Sequence, residues 1–353
     1  MNCWVFFKKP YLDKNVFENR EDLIFHEEYS NKLHHIRGKY WPNNSFYKIR
    51  KKTDYIYSTI SPFKKTKKNI LIQGDSWAEY MLHNKFNYEL MEIISKDNNF
   101  GLINSGNSSY SPSAMLVQYK ILKKDFKINP EYIITIIDQT DIGDELCRYK
   151  NNLIFNNNEL THIQREKNTG VTFDYSKYYE LSNIVLGDKK INIKATNYYF
   201  KKIFLETKYK IYSFLFKKKR SLSSINCKIE SVLNYLFFLD IDEEKYFKLR
   251  LKEYLNYLAN DLGVKKIFVV TFPHLSHLKN HYKYNVSNYV EDIYPNIKNS
   301  NKITHLNFQK FIDDGVFPRN NIFQPRDLAS HLTEKSTNLF IKLIFDNLSL
   351  IKQ

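Results

Sequence analysis

Asn69-Ile70-Leu71-Ile72-Gln73-Gly74-Asp75-Ser76-Trp77 begins as an uninterrupted apolar run and ends in a polar turn. An apolar run of about four to eight residues without alternation fits a strand buried on both faces. The Gly that closes it, followed by Asp, Ser and a helical pattern near 77–96, reads as strand, tight turn, helix. The pattern recurs along the chain. Phe100-Gly101-Leu102-Ile103-Asn104 is a second strand, followed by a helix near 112–126. Tyr132–Ile137 is a third, Lys266–Thr271 a fourth and Ile303–Asn307 a fifth. A last helix is expected from Glu334 to Leu348 with Thr333 as its N-cap. Such strands, separated by helices, predict an α/β fold whose parallel five-stranded sheet is covered on both faces.

These units divide the chain. Residues 69–145 and 263–353 carry the strand–helix pattern and form the expected α/β domain. Residues 1–68 are polar, aromatic and without a clear period, and end in the charged run Lys64-Lys65-Thr66-Lys67-Lys68; they are read as an N-terminal extension of unknown role. Residues 146–262 are too many for an ordinary crossover and are read as an insertion. Its first part, Leu146 to Gln164, alternates around Asn151-Asn152 and Asn156–Asn158, which predicts a β-hairpin. Its later part is expected to be a helical cap. There Phe200, Ile203, Phe204, Thr207, Ile211, Phe214 and Leu215 fall on one helical stripe among basic residues.

Composition narrows the function classes. The chain has 353 residues, 42% of them hydrophobic, so a sizeable core is available. With 54 Lys+Arg against 38 Asp+Glu, the formal charge is +16. Lys, Asn, Ile, Tyr and Phe dominate together, as an A+T-rich coding sequence would supply them, and the basic residues are spread rather than gathered in a recognition module. Nucleic acid is therefore not an expected partner. Cys3, Cys147 and Cys227 cannot all pair and form no CxxC, so a disulfide scaffold is not expected and a reducing compartment is. Cys147 reads as a buried thiol. The start places Lys8 and Lys9 after its apolar residues, the reverse of a secretory leader, and no run approaches the ~18 apolar residues of a membrane span. A cytoplasmic location is expected, at most peripheral to the inner face of a membrane. The stretch 198–220 offers two roles, a lid over the site or a surface helix on anionic lipid.

Chemistry is expected at the carboxyl ends of the strands, where ligands sit in a doubly wound sheet. Ser76 stands there on a turn into a helix, with its backbone N–H beside it to meet an oxyanion. A Ser nucleophile needs a His within hydrogen-bond reach. Asp327-Leu328-Ala329-Ser330-His331 precedes the last helix and returns to the same edge. Asn104-Ser105-Gly106-Asn107-Ser108-Ser109 follows the second strand, and Asp138-Gln139-Thr140-Asp141 the third. The Ser-rich run Ser105–Ser113 is read as loop and helix cap. His274, His277 and His281 have helical ligand spacing, but no carboxylate or Cys stands near to complete a metal site. Neither a metal nor a cofactor is expected.

On these residues the chain resembles the SGNH (GDSL-like) hydrolase superfamily of esterases, lipases and O-acyltransferases. Gly74-Asp75-Ser76 is similar to its first block, Gly106 to its second, and Asp327 with His331 to its last. The resemblance implies a flavodoxin-like fold with Ser76 as nucleophile, His331 as base and Asp327 orienting it. It also implies an oxyanion hole from Ser76 and Gly106 N–H with Thr140 or Gln139. Two positions depart from the family. Its third block reads Gly-x-Asn-Asp, and Thr140 stands here at the Asn. Its Asp lies three residues before the His, and Asp327 lies four before His331. A Ser–His dyad oriented by a backbone carbonyl is the alternative to a triad. The implied substrate is a carboxylic ester, an acylated sugar or glycan by analogy. O-acyl transfer to a surface-glycan precursor, and a catalytically silent binding module, remain the other two expectations; nothing in the sequence speaks to oligomeric state.

Overall fold

The computed structural model describes residues 57–82, 84–163, 239, 241–275, 278, 285–324 and 330–348. All five expected strands are present: β2 (Lys68–Gln73), β3 (Phe100–Asn104), β4 (Tyr132–Asp138), β7 (Lys266–Phe272) and β8 (Ile303–Asn307). They pair in parallel in the order β3-β2-β4-β7-β8. The sheet has six strands rather than five, because β1 (Ser58–Ser61) adds to β3 antiparallel at the edge. Part of the segment read as an aperiodic extension thus belongs to the sheet. Four residues with a register shift are too short a run to show a period.

Helices cover both faces. α1 (Ser76–Tyr80), α2 (Lys85–Asp97), α7 (Phe308–Asp313) and α8 (Glu334–Asn347) pack on one side with Ile70, Ile72, Ile134, Ile136, Phe268 and Val270. α3 (Pro112–Lys124), α5 (Ile241–Asn260) and α6 (Val286–Ile293) pack on the other with Leu71, Ile103, Ile133, Ile137, Ile267 and Val269. Odd and even positions of β4 and β7 thus enter different cores, which is why both strands read as apolar without alternation. The helix expected near 77–96 is two helices: α1 ends at Tyr80, and Asn84 starts α2 afresh by accepting the N–H of Asn87 at 2.8 Å. Thr333 caps α8 as expected, accepting the N–H of Ser336.

In the segment 146–262, β5 (Leu153–Asn156) and β6 (Glu159–Ile163) form the expected antiparallel hairpin. Asn157 and Asn158 both have positive φ, 49° and 63°, as a two-residue type I′ turn requires. The last part of the segment is no cap. α5 lies against α3 and the sheet, burying Leu251, Tyr254, Leu255 and Leu258, and is the crossover helix into β7. The stripe at 198–220 falls outside the described residues. Cys147, expected as a buried free thiol, is half-buried and disulfide-bonded; the other two cysteines, Cys3 and Cys227, lie outside the described residues. Cysteine count alone does not separate a bonded sulfur from a free one. No helix among the described residues is long and apolar enough to cross a membrane.

An aromatic cluster joins the end of β7 to the turn that carries Ser76. The ring of Phe272 lies 4.6 Å from Trp77, 5.3 Å from Phe308, 5.5 Å from Phe317 and 5.7 Å from Phe340. Phe272 is fully buried, so truncation leaves a cavity walled by four rigid rings that cannot collapse into it. Phe272→Ala is expected to lose about 3–5 kcal/mol in urea unfolding, whereas Val316→Ala, on the exposed surface, stays within about 0.5 kcal/mol of the parent.

Candidate active site

The turn after β2 is shaped by what presses on it. Gly74 has φ +156°, and a Cβ there would lie 2.9 Å from Ala78 Cβ and 3.0 Å from the Ile136 carbonyl of β4. The loop after β3 closes from the other side: Asn107 N–H donates to the Gly74 carbonyl at 3.1 Å. A Cβ on Gly106 would stand 2.5 Å from both Ala78 Cβ and Glu79 N, so only glycine lets that loop lie on α1. Asp75 caps α1, its Oδ1 accepting the N–H of Trp77 at 2.8 Å. Ser76 is thereby the first residue of a helix, where a backbone N–H has no partner within the helix.

His331 reaches this turn from the far end of the chain. Ser330 before it adopts a left-handed conformation, φ +58°, and its hydroxyl accepts the N–H of Leu275 just beyond β7. The His331 carbonyl accepts from Gln324 N–H at 2.8 Å, and Leu332 forms a bridge with Phe323. So held, His331 Nε2 lies 2.7 Å from Ser76 Oγ, across 255 residues of sequence. Tyr80, one turn along α1 from Ser76, stacks on the imidazole with centroids 4.0 Å apart and planes at 9°. Ser76 and His331 each keep 9% exposure, while the carboxyls behind them keep 2% or less.

Behind Ser76 lies a cluster of buried acids. Carboxyl oxygens of Asp75, Asp138 and Asp141 lie within 4.8 Å of one another. Ser76 Oγ is hydrogen-bonded to Asp75 Oδ2 at 3.0 Å. Asp138 Oδ1 accepts from Thr140 Oγ1 at 2.7 Å and from the Thr140 N–H, and Asp141 Oδ2 accepts the Asp138 N–H at 3.1 Å. Among the described residues, Asp138 Oδ2 and Asp141 Oδ1 meet no N–H or hydroxyl donor. Two unit charges 4 Å apart repel by about 4 kcal/mol at an effective dielectric of 20, so three ionised carboxylates would be far from their preferred state here. Burial, then the neighbouring Asp138, raises Asp75 well above the usual carboxyl range. Burial, then Asp75 and Asp138, does the same to Asp141. Asp138 is also raised by burial, but the Thr140 donors, the charge of His331 and a hydrogen bond with Asp75 pull it back down. Asp144, at the end of the short helix α4 (Asp141–Asp144), is pushed up to about 6 by burial although Arg148 ion-pairs with it at 2.5 Å.

Two further buried carboxylates fasten the Ser-rich loop. Glu79 accepts the N–H of Ser108 at 2.9 Å and its hydroxyl at 2.6 Å. Glu145, in a turn of π-helix after α4, accepts the hydroxyls of Ser111 and Ser113 at 2.5 and 2.6 Å. Ser108, Ser111 and Ser113 are thus loop fastenings, and Ser111 stands at the N-cap position of α3 without a side-chain cap bond.

Of the expected oxyanion donors, the Gly106 N–H and the Thr140 hydroxyl are occupied. Gly106 N–H donates to Asn104 Oδ1 at 2.7 Å, and Asn104 Nδ2 donates to the Ala78 carbonyl. The Thr140 hydroxyl is held by Asp138, and Gln139 Oε1 accepts the N–H of Val286. Of the expected donors, Ser76 N–H is the one whose position follows from the helix start alone. Asp327, His277 and His281 lie outside the described residues, and His274 is buried beyond β7. Tyr80, Glu79, Glu145 and the meeting of Asp75 with Asp138 were not anticipated. Asp138 and Asp141 bracket the third polar loop, and paired acids at adjacent strand ends were the available signal.

No family model matches this chain, and no curated protein matches it. Among solved structures, the chain is similar to LAE5, an α/β hydrolase enzyme from the metagenome of Lake Arreo, Spain. The identity is 10%, the TM-score 0.41, and the match covers 82% of this chain and 97% of that one, a likeness too loose to carry any inference about chemistry.

Proposed function

We propose that the protein is a serine-dependent hydrolase of carboxylic esters with a flavodoxin-like, SGNH-type architecture, working through an acyl-Ser76 intermediate. The observation that carries this reading is the 2.7 Å contact between Ser76 Oγ and His331 Nε2 on a strand-to-helix turn. The turn lies between the carboxyl ends of β2 and β4, where the chain changes direction across the sheet. His331 accepts the Ser76 proton as Oγ bonds to the ester carbonyl carbon. The carbonyl oxygen then carries the negative charge, which Ser76 N–H meets. Collapse of the tetrahedral intermediate breaks the bond to the alcohol, and His331 returns the proton to that leaving oxygen. Water then attacks the acyl-enzyme with His331 again as base. Tyr80, flat against the imidazole, limits its rotation and keeps Nε2 on Ser76.

Where a sugar hydroxyl replaces water at the second step, the same residues perform O-acyl transfer. The occupied donors favour a second reading, a silent SGNH-type binding module: Gly106 N–H and the Thr140 hydroxyl serve an oxyanion only if Asn104 and Asp138 release them. A fluorophosphonate separates the two, since it bonds only to an activated hydroxyl. We expect one adduct on Ser76 of the folded protein, none in Ser76→Ala, and folded protein without an adduct would leave the binding module. We also expect Ser76→Ala and His331→Ala each to lower turnover of a nitrophenyl acetate by on the order of 10⁴-fold. Turnover unchanged in either variant would show that the ester is cleaved elsewhere.

A further inference from the structure

Ser76 Oγ carries one proton and has two acceptors within reach, Asp75 Oδ2 at 3.0 Å and His331 Nε2 at 2.7 Å. Which of them receives it depends on the charge of Asp75. A hydrogen bond to a carboxylate is roughly twice as strong as one between neutral groups. An ionised Asp75 therefore draws the hydroxyl proton to itself, and His331 can then only donate to Oγ, the arrangement opposite to that of a base. A neutral carboxyl is a poorer acceptor than imidazole and leaves the proton to Nε2. The surroundings say which form is held. Asp75 is 1% exposed and faces Asp138 at the end of β4 and Asp141 and Asp144 on α4, while Ser76 Oγ stands between it and His331. Arg148 is ion-paired with Asp144. Asp138 Oδ2 is buried and meets no N–H or hydroxyl donor among the described residues, and the Asp138 carboxyl is hydrogen-bonded to that of Asp75, one oxygen of each lying within 4.8 Å of the other.

We propose that Asp75 is a positioning residue for Ser76: Asp75 and Asp138 share one proton, which satisfies Asp138 Oδ2, leaves the Ser76 hydroxyl no carboxylate to donate to, and turns it onto His331 Nε2. Asp75 touches no reacting atom other than the nucleophile it orients, and no bond is made or broken at it. The adjacent pair titrates as a unit, so its behaviour belongs to the pair rather than to either residue. Asp138, once it carries the negative charge of the pair, also lies where the charge of His331 stabilises it. It therefore favours the imidazolium that forms during attack. This proposal rests on Ser76 and His331 acting as nucleophile and base.

The test is the pH dependence of fluorophosphonate labelling, read beside infrared spectra of the unlabelled protein. Loss of the shared proton at high pH frees a carboxylate to capture the Ser76 hydroxyl, so labelling of the parent falls on its alkaline side. Asp75→Asn copies the neutral acid, with its carbonyl free to accept the Trp77 N–H and its amide unable to ionise. Its profile is expected to lack the alkaline fall. Asp138→Asn removes the charge that holds the proton on Asp75, and the fall is expected at lower pH than in the parent. At neutral pH, the spectrum of Ser76→Ala minus that of Ser76→Ala/Asp75→Asn is expected to show a carboxylic-acid C=O stretch. An alkaline fall kept unchanged in Asp75→Asn, or a difference spectrum without that stretch, overturns the proposal. Absence of Ser76 labelling in the parent at every pH instead overturns the catalytic reading, and the infrared comparison still decides the state of Asp75.

Discussion

Three backbone segments meet at the carboxyl edge of the sheet with no room for a side chain between them. Gly74 is pressed against Ile136 of β4 and Ala78 of α1, Gly106 lies on Ala78 and Glu79, and Asn107 N–H closes onto the Gly74 carbonyl. Everything at the site is referred to this contact. It fixes where α1 begins, and so where the Ser76 hydroxyl and N–H stand. It draws the ends of β2 and β4 together until Asp75 meets Asp138. It also sets Tyr80 one turn along α1, under the imidazole of His331. Trp77 ties the same turn to Phe272 and the aromatic core beneath. The Ser76 side of the site is therefore built on packed strands and helices, which hold a geometry more closely than a free loop does.

The electrostatics run against the composition. A chain with a formal charge of +16 gathers Asp75, Asp138, Asp141, Asp144, Glu79 and Glu145 around one edge of its sheet, all of them buried. Glu79 Oε2 and both oxygens of Glu145 accept from serine donors and act as ties for the loop after β3. The aspartates have fewer donors than oxygens, and in a medium of low polarity such groups neutralise rather than remain charged. The net charge thus does not describe the site: no lysine among the described residues is buried with these acids.

Much of the architecture was legible locally. Ile70–Ile72, Ile133–Ile137 and Ile267–Val270 announce strands covered on both faces, since a strand between two cores needs apolar residues at odd and even positions alike. Asn157-Asn158 announces the hairpin turn because asparagine tolerates the left-handed backbone that such a turn needs. β1 was hidden, because an edge strand of four residues satisfies its few hydrogen bonds without a pattern of its own. α5 was taken for part of a cap because its apolar stripe, Phe247, Leu251, Tyr254 and Leu258, has the period of any amphipathic helix and does not name the surface it will cover.

For the site, the types of residue and their places at strand ends could be read along the chain, since Gly-Asp-Ser after a buried strand and a polar loop before a capped helix are local patterns. Distance could not. Ser76 and His331 are 255 residues apart and come within 2.7 Å only once the chain beyond β8 has returned to the carboxyl edge. The same holds for what each polar group finds there. The Gly106 N–H and the Thr140 hydroxyl look like free donors in sequence, and folding gives them to Asn104 and Asp138. Asp75 looks like a helix cap, which it is, and becomes a member of a buried acid cluster because the sheet order sets β4 beside β2. Residue type is a property of the chain, whereas the state of a buried proton depends on which charges and dipoles folding brings around it.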